Sequence, residues 1–325
     1  MEFETTTARS RIGSWMMGSS MSSDAVSESR LARARLALDG LSVGDAFGQQ
    51  FFSSAMREWC LESKQPPPGR WHVTDDTEMA ISIFETLVIF DQIDQDSLAR
   101  RFGERYLNEP SRGYGPAMHR LLKELGKGGD WREHSRSLFD GAGSFGNGSA
   151  MRVAPVGAYF ADDLGAVVHQ AALSAEVTHA HPDGIAGGIA VAIATAWCAQ
   201  REGNQNLNGK ELLETVIHHT PDGAVREGIR TTLDVPLDDW EYTAANLLGN
   251  GSRITVADTV PFCLWCAAAH LDSYSEALWA AIHVEGDIDT NCAIIGGIVA
   301  SAVGHAGIPS DWLRSREGLL IAMES

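Results

Sequence analysis

The sequence predicts an all-α protein, because its apolar residues recur at spacings of three and four in about ten segments. No segment of comparable length alternates between apolar and polar residues, which is the pattern of a half-buried strand. The chain also has no internal repeat of fixed period, which argues against a solenoid. We therefore expect a single compact multi-helix domain that spans residues 27–325.

The N-terminal region divides into a tail and a first helix. Residues 1–26 are small, polar and aperiodic, which predicts a disordered tail or a remnant of the expression vector. The helical pattern starts at Ser27, and Gly44 interrupts it, so the first helix is predicted to end at Gly44–Gly48. A loop with consecutive prolines follows at Pro66–Gly69. The apolar positions of the first helix are Leu31, Ala34, Leu38 and Leu41.

Further helical patterns follow along the chain. The segments 186–192 and 293–300 are rich in alanine and glycine, which lets helix backbones approach closely at about 1 kcal/mol of helix propensity per glycine. We expect these two segments to be buried central helices and the residues just before them to form the floor of a site. The predicted helices lie near residues 80–88, 96–107, 115–125, 163–177, 184–200, 210–219, 256–270, 274–284 and 291–305.

Composition and charge narrow the classes of function. The chain has 44% hydrophobic and 21% charged residues, which is typical of a globular protein, and it lacks the apolar run of about 18 residues that suggests a membrane span. The lack of such a run predicts no membrane association. The net charge of −18 repels polyanions, so we also expect no extended nucleic-acid binding. A small anionic nucleotide at a bound metal ion remains compatible, because the ion dominates its local field.

The five cysteines are spread through apolar surroundings and do not form a dense framework. An odd number of scattered cysteines is best explained by reduced thiols in a cytoplasmic protein. Cys263 and Cys266 have the CxxC spacing of redox and zinc sites, but the chain has no second CxxC and no βαβ context, which favours a packed helix. We therefore expect a soluble, cytoplasmic protein.

An acidic cluster, Thr74–Glu78, leads directly into an apolar helix. Taken alone it is explained by helix capping, because threonine and aspartate accept hydrogen bonds from the free N–H groups of a first turn. A second cluster, Gly286–Thr290, stands in the same position before a helix of small residues. The pair favours a metal site, because clustered carboxylate and hydroxyl oxygens suit Mg²⁺ or Mn²⁺ and repel each other without a cation.

Two further segments suggest ligand contacts. The glycine-rich segment Gly141–Arg152 would let backbone N–H groups approach a phosphate, although a plain tight connection explains it equally well. It lacks the Gly-Lys-Ser/Thr of a Walker loop. The pair His179 and His181 precedes a helix of small residues, and we favour a histidine that donates to a phosphate or ribose over a zinc ligand. His218 and His219 are interpreted as structural.

Taken in order, five motifs resemble the ADP-ribosylglycohydrolase family, and the resemblance spans residues 35–305. The motifs are Gly44–Gly48, Thr74–Thr77, Gly146–Pro155, Thr178–His179 and Gly286–Thr290. The resemblance implies an all-α domain with two divalent cations, Mg²⁺ or Mn²⁺, that releases ADP-ribose from an ADP-ribosylated target. Five motifs in the right order are far more specific than any one of them.

The resemblance also implies roles for individual residues. Metal ligands would be Thr74, Asp75, Asp76, Asp287, Asp289 and Thr290. One of Asp75, Asp76 or Asp289 would assist proton transfer, and Asp289 would bridge both cations. Gly146, Asn147, Gly148, Ser149 and Met151 would line the diphosphate and ribose, and Phe145 and His179 would flank the ligand.

Two departures from the family pattern bear on activity. Many members have a glutamate that acts at the metal or the scissile bond, whereas the matching residue here is Phe52. Ile288 replaces the central threonine of the family's Asp-Thr-Asp-Thr. Two alternatives therefore stay open: a metal-dependent hydrolase of another nucleotide-sugar or phosphate ester, and a non-catalytic protein that binds ADP-ribose or serves a structural role.

Overall fold

The computed structural model describes residues 23–322, which form an all-α domain as predicted. Within that range the only β-type pairings are two isolated bridges, Trp71 with Arg316 and Gly146 with Thr255. The α-helices are α1 (Ser23–Gly48), α2 (Ser54–Ser63), α3 (Asp75–Phe90), α4 (Gln95–Asn108), α5 (Pro116–Leu125), α6 (Trp131–Arg136), α7 (Ala154–Tyr159), α8 (Leu164–Glu176), α9 (Pro182–Ala199), α10 (Gly209–His219), α11 (Ala224–Thr231), α12 (Glu241–Leu248), α13 (Val256–Ala269), α14 (Tyr274–His283), α15 (Ile288–Val303) and α16 (Ser310–Ser315).

Every segment with a predicted helical pattern is helical in the structure. The helices that the pattern did not indicate are short, from six residues in α6, α7 and α16 to ten in α2. Such helices have fewer than three turns, too few for an apolar stripe to recur. The remaining unpredicted helices, α11 and α12, have eight residues each.

The first helix differs from its prediction at its start and at Gly44. It begins at Ser23, ahead of the predicted boundary after residue 26, and residues 1–22 of the predicted tail lie outside the described residues. Near its other end the helix runs through Gly44 without the predicted interruption, and it ends at Gly48, within the predicted segment Gly44–Gly48. A Cβ at Gly44 would lie 2.1 Å from the carbonyl oxygen of Cys292, so this glycine permits close packing and does not end the helix.

α1 and α15 form the centre of the fold, packed against each other more extensively than any other pair of helices. Gly40, Gly44 and Gly48 lie on one face of α1, because residues four apart in a helix share a face. A Cβ at Gly40 would lie 2.5 Å from the Gly296 carbonyl oxygen, and one at Gly48 would lie 2.7 Å from the Asp289 Cα. The C-terminal end of α1 therefore lies directly against the N-terminal end of α15.

α9 is the second central helix and packs against α7, α8, α10, α13 and α15. It is long and apolar enough to cross a membrane, but 78% of that segment is buried inside the domain. This degree of burial by protein is typical of a core helix in a globular protein. Gly187 of α9 allows its backbone to approach Val256 of α13, whose side chain lies 2.4 Å from where a Cβ would stand.

The C-terminal segment holds the strand-like approach to α3 in place. The Trp71 N–H donates to the Ser315 carbonyl (2.7 Å), and the Glu317 N–H donates back to the Trp71 carbonyl (2.9 Å). The Glu317 carboxylate accepts from the Val73 N–H at 2.8 Å. These bonds fix residues 71–73 immediately before Thr74, where the first acidic cluster begins.

Candidate active site

The two acidic clusters lie at the N-terminal ends of α3 and α15, and the fold brings them together. Thr74 is the N-cap of α3, and its side chain accepts from the Asp76 N–H. Asp287 occupies the N-cap position of α15. The Thr290 hydroxyl donates to Asp76 Oδ1 at 3.2 Å, although the two residues are 214 positions apart in the chain. The residues that begin these two helices, from the N-cap onwards, therefore form one acidic group.

Asp45 of α1 is a third contributor, to which the sequence analysis gave no role. Carboxylate oxygens of Asp45, Asp76 and Asp289 lie within 4.8 Å of one another. Asp45 is fully buried and accepts hydrogen bonds from the Thr74 N–H (2.9 Å), the Thr74 hydroxyl (2.8 Å) and the Thr77 hydroxyl. It therefore holds the start of α3 against α1.

Burial and mutual repulsion disfavour the ionised form of these carboxyl groups. Burial, with added repulsion from Asp45 and Asp287, raises the pKa of Asp75 to about 8. The pKa of Asp76 is raised well above its ordinary value by burial and then by Asp45 and Asp289. The pKa of Asp289 is raised in the same way, by burial and then by Asp287 and Asp45. A charge of opposite sign is needed to keep this group ionised at neutral pH.

The donor set fits divalent cations. Within residues 23–322, none of Asp45, Asp75, Asp76, Asp287 and Asp289 forms an ion pair with lysine or arginine. Buried carboxylates without a partner cation are unfavourable unless they coordinate a metal. Carboxylate and hydroxyl oxygens are the ligands that Mg²⁺ and Mn²⁺ prefer.

The carboxylates and the glycine-rich loop both line a cavity of about 520 Å³. The Asn147 amide donates to Asp287 Oδ2 at 2.7 Å and so ties the loop to α15. The loop is also paired with the segment before α13, since the Val256 N–H donates to the Phe145 carbonyl at 3.1 Å. Predicted site residues that line the cavity are Asp75, Asp76, Phe145, Gly146, Asn147, Gly148, Met151, His179, Asp287, Asp289 and Thr290.

Three singled-out residues do not line this cavity. Ser149 is buried, and its hydroxyl donates to the Gly184 carbonyl at 2.6 Å. Thr74 lies behind the carboxylates, bonded to Asp45. Phe52, which stands where many family members have glutamate, is 56% exposed and lies outside the cavity lining.

The sequence analysis missed two apolar residues at the rim of the cavity. Phe139 and Ile254 both line it, and both are more than half exposed. Their φ angles are 52° and 55°, in the left-handed region that non-glycine residues seldom adopt. Such strained residues cluster at ligand-binding sites, but no residue pattern in the sequence predicts their positions.

Similarity to known proteins agrees with this geometry. The family model for ADP-ribosylglycohydrolase matches residues 26–322. The chain is 29% identical over 332 residues to ADP-ribosylhydrolase ARH3 of Homo sapiens, covering 89% of this chain and 90% of that protein. It is 26% identical over 306 residues to the ADP-ribosylarginine hydrolase Tri1 of Pseudomonas putida strain GB-1, covering 88% and 74%.

A solved structure named ADP-ribosylglycohydrolase-related protein complex superposes with a TM-score of 0.62 at 22% identity, covering 89% of this chain and 94% of that chain. This likeness shows a shared fold. The family match extends over nearly all of the described residues, and the related proteins are hydrolases of glycosyl bonds by name. The enzyme class predicted from the sequence is therefore confirmed, and the chain belongs to the ADP-ribosylglycohydrolase family.

Proposed function

We propose that this protein hydrolyses the glycosidic bond between ADP-ribose and an acceptor, with divalent cations held by the carboxylates of α3 and α15. The observation that carries the proposal is the contact between Thr290 and Asp76, which unites two oxygen clusters from opposite ends of the chain. Their position at one end of a cavity large enough for a nucleotide supports a substrate, and not a purely structural ion, as the occupant.

The ligands of the cations would be Thr74, Asp75, Asp76, Asp287, Asp289 and Thr290, as the family resemblance implies. Bound Mg²⁺ or Mn²⁺ would lower the pKa of a water molecule and bind ribose hydroxyls. Asp289 and Asp76 contribute oxygens from two different helices and would set the spacing of the site. Asp45 would orient Thr74 through the two hydrogen bonds it accepts from that residue.

The glycine-rich loop would receive the diphosphate and ribose. Gly146 and Gly148 have no side chain between the loop backbone and the cavity, and a Cβ at Gly148 would lie 2.9 Å from His179 Cε1. Small residues here leave room for the ligand to approach backbone N–H groups. Phe145 is 41% exposed at the cavity wall and offers an apolar face to the bound molecule.

Proton transfer at the anomeric carbon falls to the carboxylates. We assign Asp75, Asp76 and Asp289 as the candidates, because each lines the cavity and the pKa of each is raised, first by burial and then by neighbouring carboxylates. One of them would accept a proton from the attacking water, whose oxygen forms a bond to the anomeric carbon as the bond to the acceptor breaks. The acceptor leaves with the electron pair of that bond and takes up one proton, so that ADP-ribose and the free acceptor are the products. Asp289 is the residue whose loss should be most damaging.

Calorimetric titration with ADP-ribose, with and without Mg²⁺, tests the proposal on the wild type and on Asp289→Ala. We expect binding that depends on Mg²⁺ and is lost in the variant. Turnover is then followed as release of free ADP-ribose from ADP-ribosylated proteins, peptides and small acyl esters. Release of phosphate in place of ADP-ribose would favour a phosphoesterase, and full turnover by Asp289→Ala would refute the assignment.

The proposed location is the cytoplasm. All five cysteines are buried and unpaired, as they would be in a reducing compartment. Fractionation of cells that express the tagged chain, with a cytoplasmic marker as reference, measures this directly.

A further inference from the structure

Arg152 is a fully buried cation without a carboxylate partner in the described part of the chain. Its Nη2 donates to the Ser174 carbonyl (3.0 Å) and to the Thr178 hydroxyl oxygen (2.8 Å). Its guanidinium lies over the Phe102 ring at 4.5 Å, and its Nη1 faces the Met79 sulfur. Burial lowers the pKa of Arg152 to about 9, which leaves it protonated at neutral pH. Burying a charge is costly unless surrounding groups satisfy it, so these contacts hold the guanidinium in place.

The Thr178 hydroxyl connects Arg152 to His179. Arginine has five N–H donors and no acceptor, so the Thr178 oxygen must accept from Nη2. The same oxygen lies 2.7 Å from His179 Nδ1, which is the remaining partner for the single hydroxyl proton. The opposite arrangement, with Nδ1–H donating to Thr178, would leave a buried hydroxyl proton without an acceptor, which is unfavourable.

His179 is therefore left with its proton on the other ring nitrogen. Its pKa is lowered well below the ordinary value, by burial and then by the charge of Arg152, so the ring is neutral and carries one N–H. The Nε2 atom faces the glycine-rich loop, 3.1 Å from where a Gly148 Cβ would stand and 3.4 Å from a Gly146 Cβ. No protein acceptor bonds to Nε2 within residues 23–322, and His179 lines the cavity.

We propose that Arg152 and Thr178 are positioning residues that fix His179 in the Nε2–H tautomer, so that it presents a neutral hydrogen-bond donor to an oxygen of the bound nucleotide. The inference rests on the proposed function, because ADP-ribose supplies that oxygen through its diphosphate or ribose. The second bond of a histidine selects the tautomer in this way at many protein sites. The fixed donor adds selectivity for an acceptor oxygen without adding a charge to the cavity.

The test combines two readouts on the full chain. Nitrogen NMR of protein labelled with ¹⁵N-histidine reports which ring nitrogen of His179 carries the proton, and His179→Gln identifies its resonances. Calorimetry reports ADP-ribose affinity in the presence of Mg²⁺. The variants are Thr178→Val, which removes the hydroxyl, and Thr178→Ser, which keeps it. Thr195→Val is the matched control, since Thr195 is equally buried and its hydroxyl bonds within α9, to the Val191 carbonyl.

We expect wild-type His179 to carry its proton on Nε2 and Thr178→Val to show a mixture of tautomers. The affinity for ADP-ribose should fall about tenfold in Thr178→Val and stay within about twofold in Thr178→Ser and Thr195→Val. A proton on Nδ1 in the wild type would overturn the inference, and so would equal losses in Thr178→Val and Thr195→Val. Failure of the wild type to bind ADP-ribose refutes the proposed function, whereas the nitrogen resonances still decide the tautomer.

Discussion

Gly44→Ala tests how closely α1 packs against α15. The added Cβ would lie 2.1 Å from the carbonyl oxygen of Cys292 and 2.7 Å from its carbonyl carbon, and both are backbone atoms. Carbon atoms in contact stand about 3.5–4.0 Å apart, so the helices would have to separate by about 1 Å. Overpacking of this kind destabilises by about 3 kcal/mol, and the higher helix propensity of alanine restores about 1 kcal/mol. The expected net loss is about 2 kcal/mol.

Urea denaturation of the metal-free protein measures this loss, and Gly188→Ala in α9 is the matched control. A Cβ at Gly188 would meet the Ser149 carbonyl oxygen at 3.5 Å and the Ala175 Cβ at 3.6 Å, which are ordinary contacts. That variant should gain up to about 1 kcal/mol from helix propensity. Gly44→Ala should also bind Mg²⁺ more weakly, because separation moves Asp289 away from Asp45. A Gly44→Ala protein as stable as Gly188→Ala would refute the close approach.

Three further predictions concern the carboxylate site and its surroundings. Asp289→Asn should raise the melting temperature of the metal-free protein, because it removes a buried carboxyl group whose ionisation is opposed by burial and by neighbouring carboxylates. The same variant should abolish the rise in melting temperature that Mg²⁺ gives, and a retained Mg²⁺ effect in scanning calorimetry would contradict this. Without metal, the pKa values of Asp75 (about 8) and Asp45 (about 6) exceed the ordinary 3.8, chiefly through burial, so the folded state holds protons more tightly. Urea midpoints should therefore fall as the pH rises from 4 through 6 and 8, and saturating Mg²⁺ should flatten the curve. Phe52→Ala should change ADP-ribose affinity by less than about twofold, because this exposed side chain lies outside the cavity, and a larger change in calorimetry would place Phe52 at the site.

The long helices were predictable because an apolar stripe of period 3.6 needs several turns to be recognised. α7 escaped prediction for two reasons: it has six residues, and all of them are buried, so it has no polar face to set a period. Gly44 was expected to interrupt α1 because a glycine inside a helical pattern often marks the end of a helix. What overrides that local signal is the backbone of α15 at Cys292, which the sequence does not place there.

The site was partly predictable for a similar reason. Thr74–Asp76 and Asp287–Thr290 are recognisable because adjacent carboxylates directly before an apolar helix exceed what capping requires. Asp45 has no such local sign, since its role depends on donors that arrive from α3. Arg152 belongs to a recognisable motif, but its effect on His179 passes through Thr178, and that connection exists only in three dimensions.

The convergence of α1, α3 and α15 has a consequence for biosynthesis. Asp45, Asp75 and Asp76 emerge from the ribosome long before Asp287 and Asp289. A nascent chain therefore carries buried acidic positions for most of its synthesis with no way to complete a cation site, and intermediates that bury them early are disfavoured. Mg²⁺ can stabilise only a chain that already includes α15, because the cation binds the assembled site and not a chain that lacks these carboxylates. Mg²⁺ would thus act as a late checkpoint that separates molecules that include α15 from those terminated before it.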